Sequence, residues 1–566
     1  MTALPWWSLP ALVALVITAL YVREANPAVG GGNSGEFQVM AHLLGIAHPP
    51  SYPLYLLLAK AATLLPLPGD IAWRINVLTA LQAGSAVFLM AALPFALKLP
   101  VPRAAVLFAS VLGAVSLGAM PRLWTLAVEA EVFALHLLLV LAFWLCLLRW
   151  RSGLAEARPT AARWLASASL IVGLGLANHR TFLFIAAAGA LFVLLTRPRT
   201  LREGRFVALC LALVAAGLLP YLYVIRGWFV PVPFFSPGEV HRLTRSDIWY
   251  VLQGNATGET GGGDVIRQLF ADRSLLLGRT HWLWRQLAGQ FGLAGPVLAA
   301  AGIAGLLVLV RRRPLWTATA LAGALAAAVF AMSYAKYPDA DRYLLPLEAL
   351  LALGLSTSFA GSASWLARHC AGRARLARIL GSAGGLILGC YWALSLGFLA
   401  GSTNFTRGGY VHHTLHNLQG VERNALVCSW WASAWGWWYA QYVDGHRPDV
   451  ALVPKGPDDC LRDVVPAALG RRPVYLPAMT ETTRRSDVAF FPSRDLWIAV
   501  GRRGALNSGA LLKGPDERIF YYDGAQRHWI PSLDVFASRG FSWDAVQLTP
   551  DYVLRDIPEG APLGAQ

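Results

Sequence analysis

The stretch best equipped for chemistry runs from Gly30 to Pro53, GGGNSGEFQVMAHLLGIAHPPSYP. It holds a carboxylate, Glu36, then His48 before two prolines, then Tyr52. Asn33 is a good helix N-cap, and Glu36 falls three residues later, at capping-box spacing. Phe37, Met40, Ala41 and Leu44 make one apolar stripe at helical period. A short helix with a carboxylate at its start therefore lies against something apolar, directly after the first apolar segment. Glu36 has two readings, a cap for this helix or a general base at a membrane surface. Local residues alone favour the cap.

Other polar residues recur beside apolar runs. Glu129 and Glu131 precede one, and His136 lies about a turn inside it. Asn178, His179 and Arg180 fill a tight turn, and Lys336, Asp339, Asp341 and Arg342 lie between two further runs. Ionisable groups at membrane depth cost ~2.5–3.5 kcal/mol each on insertion scales, so several at one face predict a shared site. Each has a plainer reading. Glu129 and Glu131 would be solvated at a helix end, and His179 and Arg180 would snorkel. Asp339 and Asp341 would cap a helix after Pro338, and His136 would be a packed core residue. Glu348, inside an apolar run, is expected to pair with a polar group.

Apolar residues make up 56% of the chain, with 22 Trp and a mean hydropathy of +0.48, which places it among polytopic membrane proteins. Apolar runs predict about eleven spans, several shorter than the ~20 residues of an ideal one, near 4–22, 75–97, 104–120, 132–148, 164–177, 181–196, 206–225, 291–310, 315–335, 343–366 and 379–400. Met1–Pro5 carries no Lys or Arg, so the first run reads as a retained helix. The net charge of +16 is not a nucleic-acid signal, because the arginines gather in alternate loops: 149–163, 197–205, 311–313 and 368–378, with Lys98 and Arg103. This positive-inside pattern puts those loops and the N-terminus in the cytoplasm. Glu36 and everything after Ala400 are then outside. Tyr52–Leu67, bracketed by Pro53 and Pro66, reads as an interfacial or re-entrant helix.

Residues 227–290 read as a long external loop with an interfacial helix pair. After residue 400 the pattern changes to short strands at 425–430, 449–453, 473–476, 496–500 and 518–522, with helices at 432–443 and 459–469. That alternation predicts a small α/β domain over 401–566, after a bundle over 1–400 with external loops at 23–74 and 227–290. The Trp-rich run 429–442 reads first as a membrane-interface belt, with a sugar or lipid platform as the alternative. Of the six cysteines, Cys428 and Cys460 pair or stay as two thiols. No Cys/His spacing points to a metal site.

NSGEF (33–37), LGIAHPPSYPLYLLLAK (44–60) and IAWRINVLTAL (71–81) resemble a bacterial membrane-protein family related to protein O-mannosyltransferases. Its animal member modifies IPT domains of receptors, and the group is similar to the GT-C glycosyltransferases. EAEVFALH (129–136), ANHRT (177–181), LPYLYVIR (219–226), YPDADRYLLP (337–346) and WYAQYVDGHRPDV (438–450) extend the resemblance in order along the chain. The family usually reads Asp-Ser-Gly-Glu where this chain has Asn33.

The resemblance implies a mainly α, GT-C-type transmembrane bundle with an external α/β domain, in a bacterial inner membrane. It implies an inverting transfer of mannose or another hexose from a polyprenyl-phosphate carrier to an acceptor hydroxyl, on protein Ser/Thr or an envelope glycan. Such a reaction needs a base for the hydroxyl and cations for the leaving phosphate. The implied catalytic residues are Glu36 and Glu131. His48, Asn178, His179, Arg180, Asp339 and Arg342 are implied at the donor, and Asn33, Tyr52, Trp73 and Arg74 at the acceptor or in structural roles. No cofactor or metal is expected, and the partners are the lipid-linked sugar, the acceptor and the bilayer, not nucleic acid. The competing functions are a transporter or flippase of lipid-linked sugar and an inactive binding scaffold.

Overall fold

The computed structural model describes residues 7–253, 262–334, 340–369, 374–402, 409–502 and 506–564. Two compact units divide at 407/408, where the sequence reading places the boundary at 400/401.

The first unit is helical. In order come α1 (Ser8–Glu24), α2 (Gly32–Leu43), α3 (Pro53–Leu64), α4 (Ile71–Leu97), α5 (Arg103–Gly118), α6 (Pro121–Ala127), α7 (Val132–Ala155), α8 (Ala161–Asn178), α9 (Phe182–Thr196) and α10 (Gly204–Gly217). After α11 (Leu222–Ile225), strands β1 (Val232–Pro233) and β2 (Val240–His241) pair antiparallel. Then follow α12 (Arg245–Gln253), α13 (Gly262–Ala271), α14 (Arg273–Gly289), α15 (Gly295–Arg312), α16 (Pro314–Tyr334), α17 (Leu345–His369) and α18 (Ala374–Ser402). Every predicted span coincides with a helix. Among the described residues, seven helical stretches are long and apolar enough to cross a membrane, and α5 with α6, bent by 65°, would add an eighth. α1 and α9, of 17 and 15 residues, fall short of the ~20 of a full span.

α4 packs against α1, α5 and α7, and α15 lies along α17. The second pair cross at Gly302, Gly305 and Gly354, where a Cβ would strike the facing backbone. Small residues bring membrane helices this close because lipid supplies no hydrophobic drive between them.

Contacts sort the polar residues to two ends of the bundle. At one end Lys98 and Arg158 both pair with Glu156, and Arg313 donates to the carbonyls of Leu97 and Lys98 at 2.8 and 3.0 Å. At the other end Asn76, near the start of α4, donates to the Asn26 carbonyl after α1 at 2.7 Å. α3 starts and finishes at this second end. Lys60 reaches the His42 carbonyl at 2.6 Å, and Arg74 donates to the carbonyls of Thr63 and Leu65 at 3.2 and 3.1 Å. Twelve residues span only ~18 Å of helix, so α3 does not cross the bundle, and Glu36 keeps the opposite end from the arginine loops.

The second unit is α/β. β3 (Leu426–Cys428), β4 (Ala451–Val453), β5 (Val474–Leu476), β6 (Val488–Ser493) and β7 (Leu496–Arg502) form a sheet in the order β4-β3-β5-β7-β6. Its first three strands run parallel and the others antiparallel. β8 (Leu511–Lys513), β9 (Ile519–Tyr522), β10 (Arg527–Ile530) and β11 (Val546–Leu548) form a second sheet, ordered β10-β9-β8-β11. The five predicted strands are all present. α19 (Gly409–Gly420), α20 (Trp431–Tyr442) and α21 (Pro457–Asp463) precede or link strands of the first sheet. Cys428 and Cys460 are buried and joined in a disulfide.

The tryptophan run departs from the belt reading. Trp435, Trp437 and Trp438 are buried, and Trp437 packs with Val427 and Tyr475 in the core. Only Trp430 and Trp431 of the five stay substantially exposed. α20 turns most of its indoles inward because the short β3–β5 strands need a large cover.

Arg447 and Asp449, in the 438–450 motif, have structural roles. Arg447 contacts both Asp449 oxygens at 2.8 and 2.9 Å and donates to the carbonyls of Leu418, Val421 and Glu422. The guanidinium holds the Asp449 carboxyl far below the usual carboxylate range. Arg447→Ala is therefore expected to destabilise this unit by about 2–3 kcal/mol, the loss of hydrogen bonds to a charged group. Thermal unfolding of the full chain checks this; an unshifted low-temperature transition would refute it.

Candidate functional site

The 30–53 stretch is held by a chain of buried polar bonds. The Gly30 N–H donates to Gln38 Oε1 at 3.0 Å, and Gln38 Nε2 donates to Asn76 Oδ1 at 2.9 Å. Asn26 Nδ2 reaches Glu129 Oε1 at 3.1 Å, and the Ala130 N–H donates to Ser34 Oγ at 3.2 Å. Buried amides persist where their partners are supplied, and here they fix α2 against the turn before α7. Glu129 is thus a tether rather than a solvated end. Burial raises its pKa, and the Asn26 bond opposes that. Beyond α2, Arg226 donates to the Leu44 carbonyl at 2.7 Å, and Tyr223 bonds the Gly45 carbonyl.

Glu36 does not cap its helix. α2 begins at Gly32 behind Gly31, with no side-chain cap, and Asn33 sits inside the first turn. Instead Glu36 is wholly buried and both its oxygens meet His48. Oε1 accepts the His48 backbone N–H at 2.7 Å, and Oε2 lies 2.5 Å from Nδ1. On its other side His48 Nε2 is 3.0 Å from the Tyr52 hydroxyl. A carboxylate beside Nδ1 accepts a hydrogen bond from Nδ1–H, which leaves Nε2 as the acceptor for Tyr52. The imidazole side chain is 33% exposed while the carboxylate is 0% exposed, so His48 presents this unit to the surroundings.

His179 adjoins the dyad. Its ring stacks on Tyr52 at 5.7 Å between centroids and lies 5.0 Å from Phe133, 5.5 Å from Tyr343 and 5.5 Å from His136. Its Nδ1 accepts the Thr181 N–H at 3.2 Å, so Nε2 is the nitrogen left to donate. Asn178 is buried and donates to the Val132 carbonyl at 3.1 Å. Glu131, just before α7, accepts from Arg342 at 2.5 Å. Tyr343, next to Arg342, is the ring that meets His179 and Phe133. Glu36, His48, Tyr52, Glu131, Asn178, His179 and Arg342 therefore share one end of the bundle.

Three sequence candidates are held by other partners. Arg180 donates to the carbonyls of Val251, Leu252 and Gln253, closing the end of α12. The Trp73 N–H is the one capped by Asp70 at 2.7 Å, and the Arg74 side chain closes α3. Asp339 lies outside the described residues, as does Lys336.

Sequence reading missed Arg122. It is 6% exposed and pairs with Glu348, with Asp341 at 3.2 Å and with Gln286 at 2.5 Å. Its backbone N–H donates to Gln290 Oε1 at 3.0 Å. It joins α6, α14 and α17. Its signal was visible: a lone Arg in the apolar GAMPRLWTLA facing a lone Glu in LPLEALLAL.

Residues 33–202 match the family described as Protein O-mannosyl-transferase TMEM260 N-terminal domain. Over this stretch the chain is similar to that O-mannosyltransferase-related family. Protein O-mannosyl-transferase TMEM260 of Mus musculus is 33% identical over 211 residues, covering 37% of this chain and 29% of that protein. The Dictyostelium discoideum protein of the same name is 24% identical over 312 residues, covering 52% and 36%. The chain thus spans about a third of the length of these relatives. In fold it is similar to ArnT from Cupriavidus metallidurans, at 13% identity. The TM-score is 0.53 for apo ArnT, covering 88% of this chain and 98% of that one. It is 0.50 for ArnT bound to undecaprenyl phosphate, covering 89% and 99%. The likeness is one of fold, a bundle of apolar helices followed by a strand-containing region. The matched stretch contains Glu36, His48, Arg122, Glu131 and His179, whereas Asp341, Arg342 and Glu348 reach the same end from outside it.

Proposed function

We propose that this protein is a membrane glycosyltransferase that moves a hexose, mannose first among them, from a polyprenyl-phosphate carrier to an acceptor hydroxyl. The observation that carries this is the hydrogen-bonded Glu36–His48–Tyr52 chain, with Glu36 buried and His48 partly exposed, beside His179 and the Glu131–Arg342 pair. The O-mannosyltransferase-related amino-terminal part and the ArnT-like fold support it.

In the proposed step, His48 Nε2 takes the acceptor's hydroxyl proton, displacing Tyr52 or relayed by it. Glu36 holds Nδ1–H and stabilises the imidazolium that forms. The acceptor oxygen bonds to the sugar's anomeric carbon as the bond to the phosphate oxygen breaks. Its electron pair leaves on the lipid phosphate, and a single displacement inverts the anomeric centre. Arg342, aimed by Glu131, and His179 Nε2–H stabilise the phosphate. Glu36 thus moves from base to the group behind the base. Asn33→Asp is then expected to leave turnover within about twofold, since the base is His48 and a carboxylate suits a helix N-terminus. A large gain would show that an acid at position 33 is the missing base.

We place the Glu36 end outside a bacterial cytoplasmic membrane. The alternating arginine loops support this. Reporter fusions after Arg158, Arg202 and Arg312 are expected to read cytoplasmic, and a fusion after Gly401 external; the reverse would overturn the assignment.

The deciding experiment is transfer by the purified protein from polyprenyl-phosphate mannose to peptide and glycan acceptors. Glycosylated product is the expected result. Movement of the lipid-linked sugar across liposomes without transfer would make the protein a flippase. Binding with neither would make it a scaffold.

A further inference from the structure

We propose that the arginine end of the bundle binds one anionic diacyl phospholipid, with an acyl chain between α7, α8, α9 and α10 and its phosphate on Arg199, Arg202 and Arg205. A cavity of about 730 Å³ lies among these helices, within the ~300–1,000 Å³ typical of small-molecule sites. Leu147, Ala168, Ala190, Leu201, Phe206 and Cys210 are among its lining residues, and no charged side chain enters it. It follows α9 from Ala186 to Leu194, about 12 Å of helix. Such a slot takes an extended hydrocarbon chain and offers nothing to a sugar.

The mouth supplies the other half of a phospholipid site. Thr200 and Leu201 line the cavity and belong to the 3-10 turn Pro198–Arg202, which also carries Arg199 and Arg202. Arg205 directly precedes the lining Phe206. All three arginines are exposed, and among the described residues none has an ion pair, whereas their neighbour Arg197 is matched by Glu203 at 3.0 Å. Three unmatched guanidinia at the rim of an apolar slot complement a phosphodiester above an acyl chain. Basic pockets between membrane helices on the cytoplasmic side bind anionic headgroups for this reason.

This site is separate from the transfer site. α8 has 18 residues, about 27 Å of helix, with His179 beyond its last residue and the cavity's Leu165 in its second turn. The donor lipid proposed above works at the far end, and the bilayer's own phospholipid is the occupant here.

Native mass spectrometry of the detergent-purified full chain, titrated with dioleoyl phosphatidylglycerol, dioleoyl phosphatidylcholine or undecaprenyl phosphate, tests this. One phosphatidylglycerol is expected to bind about 10- to 100-fold more tightly than phosphatidylcholine. The Arg199→Ala/Arg202→Ala/Arg205→Ala variant is expected to lose that preference while keeping its phosphatidylcholine affinity. Ala190→Trp, which fills the slot and leaves the arginines, is expected to weaken both phospholipids. Equal retention of the two phospholipids, an unchanged preference in the triple variant, or stronger competition by undecaprenyl phosphate for this site would overturn the proposal.

Discussion

His48→Gln is expected to lower turnover at least ~100-fold, the lower bound of a general-base contribution, while donor binding and folding persist. Gln keeps a polar group near Tyr52 but takes no proton at neutral pH. Glu36→Gln is expected to act less directly. The single Gln oxygen can still accept from Nδ1–H, but its NH2 then faces the His48 backbone N–H that the second carboxylate oxygen accepts, and no charge stabilises the imidazolium. A carboxylate beside an imidazole favours its protonated form. The Glu36→Gln enzyme should therefore show its ascending pH limb at lower pH than wild type, with a reduced plateau. A cap or packing residue would not move that limb. The measurement is kcat/KM against pH for wild type and both variants. Full activity in His48→Gln with a dead Glu36→Gln would return the base role to Glu36. Near-native turnover in both would remove the dyad from the mechanism.

The second large effect is on stability. Glu348 is wholly buried and Arg122 nearly so, and desolvated charges persist only while each has its partner. Arg122→Met leaves the Glu348 carboxylate without its guanidinium, and Glu348→Leu leaves part of Arg122 unmatched. Each single change is expected to cost about 3–5 kcal/mol, and Arg122→Met with Glu348→Leu to recover much of the loss, because a buried pair can often be replaced by apolar groups. Arg122 also holds Asp341 and Gln286, so the double variant should remain below wild type. Unfolding of the purified proteins in one detergent measures this. Additive losses in the double variant would show that the two side chains are not coupled.

Much of this architecture is local and so was legible in the residues. Span-length apolar runs placed the membrane helices, because a helix in lipid must be apolar over most of its length. Alternation of short β-rich and helical segments after residue 400 identified the α/β unit. Polar residues out of place in apolar surroundings, Glu131, His179 and Arg342, marked one end of the bundle, because burying them demands partners.

The partners themselves were not legible. Asn33 and Glu36 have capping-box spacing, yet α2 starts behind Gly31, and Glu36 turns to a histidine twelve residues on that the chain brings back beside it. Arg180 carries the charge a phosphate would want, but the α12 carbonyls reach it first. Trp437 has the composition of an interface belt and is core because a sheet lies beneath it. Arg122 meets Asp341 across 219 residues, a pairing that neither helical nor strand period encodes. Hydropathy and period act within a few turns and determine what each segment is. Which buried polar group satisfies which other is decided only when the helices pack, since each desolvated donor or acceptor takes the partner that packing places within reach.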